Sequence, residues 1–265
     1  MPFSRSASPI SRRSDGGPHG PLAHASLALA FKVALAPLLI AQALQTRRRA
    51  PVLPEASGAR DGRAGAGAEP SIRVLVIGDS SAAGVGVDVQ DRAVVGFLVR
   101  TLVERGETVA WNLRAKSGLT TRGVHAWLER DPPAPADIAV VITGVNDVLE
   151  QVSAGRAVRD RAALAAWLLD RRLAAHVVFA PLPPIHQFPL LPEPLRRVLG
   201  GDARRHDRAL GRWVATRDDV SHAHIDLVLS TATMASDGFH PGEPVYRVCG
   251  EALGRHVATI ASTLG

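Results

Sequence analysis

Four short segments of the chain carry side chains suited to chemistry. The first, Gly78-Asp79-Ser80-Ser81-Ala82-Ala83-Gly84-Val85-Gly86, places a serine on a tight, glycine-flanked turn after an apolar run. Such a turn exposes a hydroxyl and leaves the serine's own backbone N–H free to bind an oxyanion. It lacks both the Gly-Lys-Ser/Thr ending of a phosphate loop and the three-glycine spacing of a dinucleotide fingerprint. In the second, Asn112 to Thr121, Gly118 lets the backbone approach a substrate closely because no side chain stands in the way. The third, Thr143-Gly144-Val145-Asn146-Asp147, offers a side-chain amide donor with an acid beside it. The fourth, Ser236-Asp237-Gly238-Phe239-His240-Pro241, sets an acid three residues before a histidine that Pro241 holds in a rigid turn. An Asp at that spacing can accept the imidazole N–H and fix the tautomer, leaving the other ring nitrogen to take a proton from a serine. Taken singly, each segment has a bland explanation: a helix-capping turn, an Asx turn, a solvated loop histidine. Taken together they are the parts of a nucleophilic acyl-transfer site.

The elements that must position these segments read as an α/β fold. From Ser71 onward, short Val- and Ile-rich runs alternate with helical patterns, the mark of βαβ units and a parallel sheet covered on both faces. The expected strands are Ile72 to Ile77, Thr108 to Asn112, Ile138 to Ile142, His176 to Ala180 and His222 to Ile225. Helical patterns cover Arg92 to Glu104, Thr121 to Leu128, Arg161 to Arg172, Leu195 to Thr216 and Val245 to Thr263. This predicts one doubly wound domain over 71–265 with a five-stranded parallel sheet. Ligands bind outside the carboxyl ends of such strands, where the chemical segments fall.

In this order, Gly78-Asp79-Ser80 with Gly84, then Gly118, then Gly144-Val145-Asn146-Asp147, then Asp237-Gly238-Phe239-His240-Pro241 resemble the four blocks of the SGNH hydrolases, the GDSL-type esterases and lipases. The resemblance spans about residues 72–262, with Ser81 standing where the family name has leucine. It implies a flavodoxin-like three-layer α/β/α sandwich and a serine esterase that works through an acyl-enzyme without metal or cofactor. It carries Ser80 over as nucleophile, His240 as base and Asp237 as its orienter, with the Ser80 N–H, the Gly118 N–H and the Asn146 side chain as oxyanion hole.

Substrate contacts are expected from Asp79 and Asp147 and from Pro183 and Ile185, which lie in a stiff apolar loop, Ala180 to Pro192, after the fourth strand. Such a wall suits the acyl chain of a lipid or lysophospholipid ester; the resemblance equally allows O-deacetylation of carbohydrate and thioester hydrolysis. One rival reading places His222, His224 and Asp226 on one strand face as ligands for zinc or another transition metal. Another is a tethered domain that binds an acyl or glycan ligand without turnover.

The chain carries 31 Lys and Arg against 25 Asp and Glu. Nine basic and four acidic side chains fall in residues 1–70, so the domain that follows is nearly neutral. That distribution, with only 4% aromatic residues, argues against a nucleic-acid partner. The one cysteine, Cys249, closes no intrachain disulfide and sits in an apolar helical pattern as a small core residue. Residues 1–24 read as disordered and residues 50–70 as a flexible linker, both rich in small residues, proline and arginine. Between them, Ala25 to Leu44 is a mostly apolar run with a single charge at Lys32, contains Pro37, and is followed by Arg47, Arg48 and Arg49. A segment of that length can span a bilayer, lie on its surface with the arginines on anionic headgroups, act as a signal peptide, or pack on the domain. The expectation is a membrane-associating helix over 25–49; export after cleavage and a cytoplasmic enzyme are the alternatives.

Overall fold

The computed structural model describes residues 21–264, with side chains from Val33 onward, so the segment expected to be disordered lies outside it as far as Gly20. The chain divides into two compact units, residues 1–41 and 42–265. Helix α1 (Pro21–Arg49) begins in the first, contains Pro37 and ends on Arg47, Arg48 and Arg49. Among the described residues no helix is long and apolar enough to cross a membrane.

The second unit is built on a six-stranded sheet. Strand β1 (Asp61–Ala64) is followed by β2 (Ile72–Gly78), α2 (Val94–Glu104), β3 (Val109–Ala115), α3 (Thr121–Arg130), β4 (Ile138–Ile142), α4 (Val145–Leu149), α5 (Ala154–Asp170), β5 (His176–Phe179), α6 (Leu195–Val214), β6 (Val220–His222) and α7 (Glu243–Leu264). The strand order is β1-β3-β2-β4-β5-β6, parallel throughout except for β1. Val76 of β2 lies opposite Leu113 and Val140, which makes β2 a central strand and explains its near-continuous apolar run. Alternate residues feed two cores. Val74 and Val76 pack with Leu98 of α2 and Leu253 of α7, while Leu75 and Ile77 pack with Leu128 of α3 and Leu164 of α5. Each such fully buried side chain contributes about 1.5–3 kcal/mol, enough to fix the strand's register and thus the position of the turn that follows it.

Two expectations need correction. Residues 50–70 are not simply a linker: Asp61–Ala64 pair antiparallel with Asn112–Val109, Ala56 is buried, and the Gln90 side-chain amide donates to the Ala56 and Ala83 carbonyls. Asp-Gly-Arg-Ala has no β-branched or aromatic residue to signal a strand. It is a short, mostly exposed edge strand, held by its backbone rather than its side chains. The last strand runs Val220–His222 rather than His222 to Ile225, so Ala223 to Leu227 form the loop leaving the sheet edge.

Candidate active site

In the parallel part of the sheet the chain reverses direction between β2 and β4, and the crevice outside their carboxyl ends is the switch point of this topology. Ser80 sits just beyond β2 and Asn146 in the first turn of α4 beyond β4. The His240 loop reaches the same place ahead of α7. Its ends are held by the Ala235 N–H donating to the His240 carbonyl at 2.9 Å and the Gly242 N–H donating to the Thr233 carbonyl at 3.0 Å.

His240 Nε2 lies 3.1 Å from Ser80 Oγ, across 160 residues of sequence. Its Nδ1 lies 2.5 Å from Asp237 Oδ2. With Nδ1–H donated to the carboxylate, Nε2 is bare and faces the serine hydroxyl as an acceptor. Asp237 is buried, and its Oδ1 accepts the Phe239 and His240 backbone N–H groups, each at 2.9 Å. Burial pushes the Asp237 carboxyl up, but the His240 ring and these two N–H groups outweigh it and hold the group below its ordinary value. The imidazole packs edge-on against Phe239, which packs in turn against Phe188, so the ring orientation is fixed on its flat side as well.

Of the three expected oxyanion donors, Ser80 and Asn146 line one cleft with His240. Among the described residues, neither the Ser80 nor the Gly118 backbone N–H donates a hydrogen bond, and Gly118 is exposed with φ +79° and open space where a Cβ would stand. The Asn146 amide donates to the Leu119 carbonyl at 2.9 Å and lies 3.4 Å from Asp79 Oδ2. Unspent backbone N–H groups are the kind of donor a developing oxyanion requires.

The acids beside the serine and the asparagine serve as supports. Asp79 is buried and accepts the Ser81 N–H at 3.1 Å; burial raises its carboxyl to about 7. Asp147 is also buried, with its oxygens taken by the Thr121 N–H at 3.0 Å and the Thr121 hydroxyl at 2.6 Å. Behind it lies Arg161, 3.5 Å from Asp147 Oδ2 and 3.2 Å from the Thr143 carbonyl, both side chains being 1% exposed. Gly144 has φ +127°, and a Cβ there would collide with the Arg161 guanidinium, so glycine is required on both counts. Asp147 therefore contacts Thr121 and Arg161 rather than substrate, which corrects its expected role.

The Ala180 to Pro192 loop also divides. Pro183 and Phe188 line the cleft at Ser80, whereas Ile185 is completely buried and is not part of that lining, contrary to expectation. The proposed metal ligands do not converge. His222 turns to Asp207 at 3.1 Å, while His224 and Asp226, paired with each other at 3.3 Å, are about nine-tenths exposed. Because the strand ends at His222, its two-residue alternation stops before the other two. Among the described residues no group of three His, Cys, Asp or Glu side chains is placed to hold a metal.

Two functional positions escape the sequence reading. Glu55 lies in the segment expected to be a linker, yet its carboxylate accepts both the N–H and the hydroxyl of Ser117 and pairs with Arg60 at 2.5 Å, bracing the loop that carries Gly118. No periodicity marks it. Arg161 did have a signal: it falls four residues after Ala157 and three before Leu164, on the buried stripe of α5.

A family model described as GDSL-like Lipase/Acylhydrolase matches residues 76–248. No curated protein matches the chain. Among solved structures, a member of the lipolytic protein G-D-S-L family from Veillonella parvula shares the fold with a TM-score of 0.56 at 17% identity, over 71% of this chain and 98% of that one. A Clostridium thermocellum family 3 carbohydrate esterase gives 0.56 at 16% identity, over 73% and 98%. A mutant of Axe2, an acetyl-xylooligosaccharide esterase from Geobacillus, gives 0.53 at 18% identity, over 70% and 94%. The family match extends from β2 into α7 and takes in every segment brought together at the switch point; the chain belongs to the GDSL-like lipase/acylhydrolase family, the SGNH hydrolases, and is a serine hydrolase of ester bonds.

Proposed function

We propose that Ser80 is the nucleophile of a carboxylic-ester hydrolase, with His240 as general base and acid, Asp237 as its orienter, and the Ser80 N–H, Gly118 N–H and Asn146 amide as oxyanion hole. The observation that carries this reading is the unbroken relay from Asp237 Oδ2 through His240 to Ser80 Oγ, at 2.5 and 3.1 Å. His240 removes the Ser80 proton as Oγ attacks the ester carbonyl. The oxyanion takes its hydrogen bonds from the three donors, each worth about 2.7–4 kcal/mol in the transition state. His240 then returns the proton to the leaving alcohol oxygen and later activates the water that releases the acid from Ser80. Asp237 stays ionised throughout and stabilises the imidazolium that forms.

The substrate is an ester with an apolar part. Supporting this, the cleft at Ser80 is walled by Phe188, Leu229, Met234 and Phe239. An O-acetylated carbohydrate is the rival substrate, favoured by the fold shared with two carbohydrate-directed esterases. The enzyme works at a membrane surface held by residues 25–49; the apolar run followed by Arg47, Arg48 and Arg49 supports this placement.

The nucleophile is tested by reacting the protein with a fluorophosphonate and mapping the adduct by mass spectrometry. The adduct is expected on Ser80 alone; stoichiometric labelling elsewhere, with Ser80 unmodified, overturns the assignment.

A further inference from the structure

Among the described residues Arg161 is the only lysine or arginine that is buried. It projects from the 17-residue helix α5, whose Leu164 and Leu168 pack in one core with Leu75 and Ile77 of β2 and Val141 of β4. Its guanidinium touches both ends of the segment that carries Asn146. Nη2 donates to the Thr143 carbonyl at 3.2 Å and lies 3.5 Å from Asp147 Oδ2. Gly144 leaves room for that nitrogen, since a Cβ there would overlap it. Burial pushes the guanidinium below its ordinary value, and Asp147, ahead of Asp207, Asp79 and Asp160, opposes the shift.

Helix α4 is too short to hold Asn146 by itself. It has five residues, and its N-cap, Gly144, offers no side chain to the free N–H groups of the first turn. Arg161 brings to it the fixed position of a long, core-packed helix. A second arm runs through Asp147, which accepts the N–H and the hydroxyl of Thr121, the first residue of α3 and the third after Gly118. Asn146 closes the ring by donating to the Leu119 carbonyl at 2.9 Å. One guanidinium thus reaches both the segment that carries Asn146 and the loop that carries Gly118. Stability alone is a poor account of it. A buried ion pair gives back much of its attraction in desolvation, and Arg161 Nη1 is buried with no hydrogen-bond partner among the described residues.

We propose that Arg161 is a positioning residue for ester hydrolysis: through Asp147 and the Thr143 carbonyl it sets the spacing of the Asn146 amide and the Gly118 N–H for the oxyanion. This deepens the reading above and rests on its oxyanion assignments. The two donors meet full negative charge only when the ester carbonyl becomes tetrahedral. Their displacement therefore acts on kcat and spares KM.

The test measures kcat and KM of the full-length protein on p-nitrophenyl acetate. Competent molecules are counted by fluorophosphonate labelling taken to completion, and a melting curve checks folding. Arg161→Met is expected to lower kcat roughly 10- to 100-fold, with KM within about twofold of wild type. Arg161→Lys keeps a charge against Asp147 without the guanidinium that also reaches Thr143, and should recover part of the loss. It carries the test should Arg161→Met fail to fold. The decisive comparison repeats the substitution in Asn146→Ala. One of the donors that Arg161 positions is then gone, so its cost in kcat should shrink by about threefold or more. Wild-type kcat in the Arg161 variants, a loss confined to KM, or a cost that shrinks less than this in Asn146→Ala would each overturn the positioning role. The underlying reading fails separately: full kcat in Asn146→Ala removes the oxyanion hole, whereas a large loss there that simply multiplies with that of Arg161 removes only the role of Arg161.

Discussion

Glu55 and Ser117 are joined twice: the carboxylate of Glu55 accepts the Ser117 backbone N–H at 2.9 Å and its hydroxyl at 2.7 Å, fixing the residue that precedes Gly118. Hydrogen bonds to a charged acceptor are worth about 1.5–3 kcal/mol when removal leaves a donor unpaired. Glu55 is partly exposed, so water replaces some of that loss. Glu55→Ala should lower kcat roughly tenfold with little change in KM, because the Gly118 N–H is used only once the oxyanion forms. Glu55→Gln should recover part of the loss. A truncated chain beginning at residue 50 should be active, and one beginning at 71 should not. Steady-state kinetics on the four proteins check this.

Asn146→Ala removes the side-chain donor proposed for the oxyanion hole and makes no direct change to the Ser80–His240–Asp237 relay. The expected loss is about 10²–10³ in kcat with KM nearly unchanged. A loss confined to KM would place Asn146 in ground-state binding instead.

Asp79 supplies a pH signature. Burial raises its carboxyl from 3.8 to about 7, so the folded protein binds a proton there that the unfolded chain releases. Stability therefore declines as pH rises from about 4 through 7, and above 7 the cost is fully present, roughly 4 kcal/mol for a shift of this size. Asp79→Asn removes this dependence. His176, His206 and His256 have lowered values, chiefly through burial, and their protonation on acidification acts in the opposite sense in both proteins. The difference between wild type and variant isolates Asp79: denaturant midpoints at pH 5 and pH 8 should show Asn146-proximal Asp79→Asn gaining on wild type at pH 8.

Arg47, Arg48 and Arg49 are each expected to add about 1 kcal/mol of attraction to an anionic surface. Full-length protein should co-float with phosphatidylserine-containing vesicles and release partly in high salt. Replacing the three arginines by glutamine should weaken binding by on the order of 100-fold, without changing turnover of a water-soluble ester. Equal flotation with neutral vesicles would remove the electrostatic part of this account.

Much of this architecture is legible in the sequence, for identifiable reasons. The central strands announce themselves because β2, β4 and β5 are buried on both faces and need continuous Val and Ile. The site segments are legible because they follow the carboxyl ends of strands or the last loop before α7, where glycine, serine, asparagine and an Asp/His pair stand out from the apolar runs around them. Strand β1 is hidden because Asp61–Ala64 pair through backbone alone. Glu55 is hidden because a single carboxylate bracing a distant loop has no period and no neighbour in sequence. Ile185 misleads because a proline-stiffened loop tells nothing of which apolar residue turns inward; its 3-10 turn packs beneath α6, and Pro183 and Phe188 face the cleft. His224 and Asp226 mislead because strand alternation holds only while the strand lasts.

The central claim is that ester hydrolysis runs through Ser80 Oγ as activated by His240. The most direct measurement is kcat on a soluble acyl ester for Ser80→Ala, with the variant's melting curve shown to match wild type. Removal of a nucleophile that acts as one unit with its base should cost about 10⁴-fold or more, leaving only the residual contribution of the oxyanion hole and binding. Hydrolysis by the folded variant within tenfold of wild type would contradict the account.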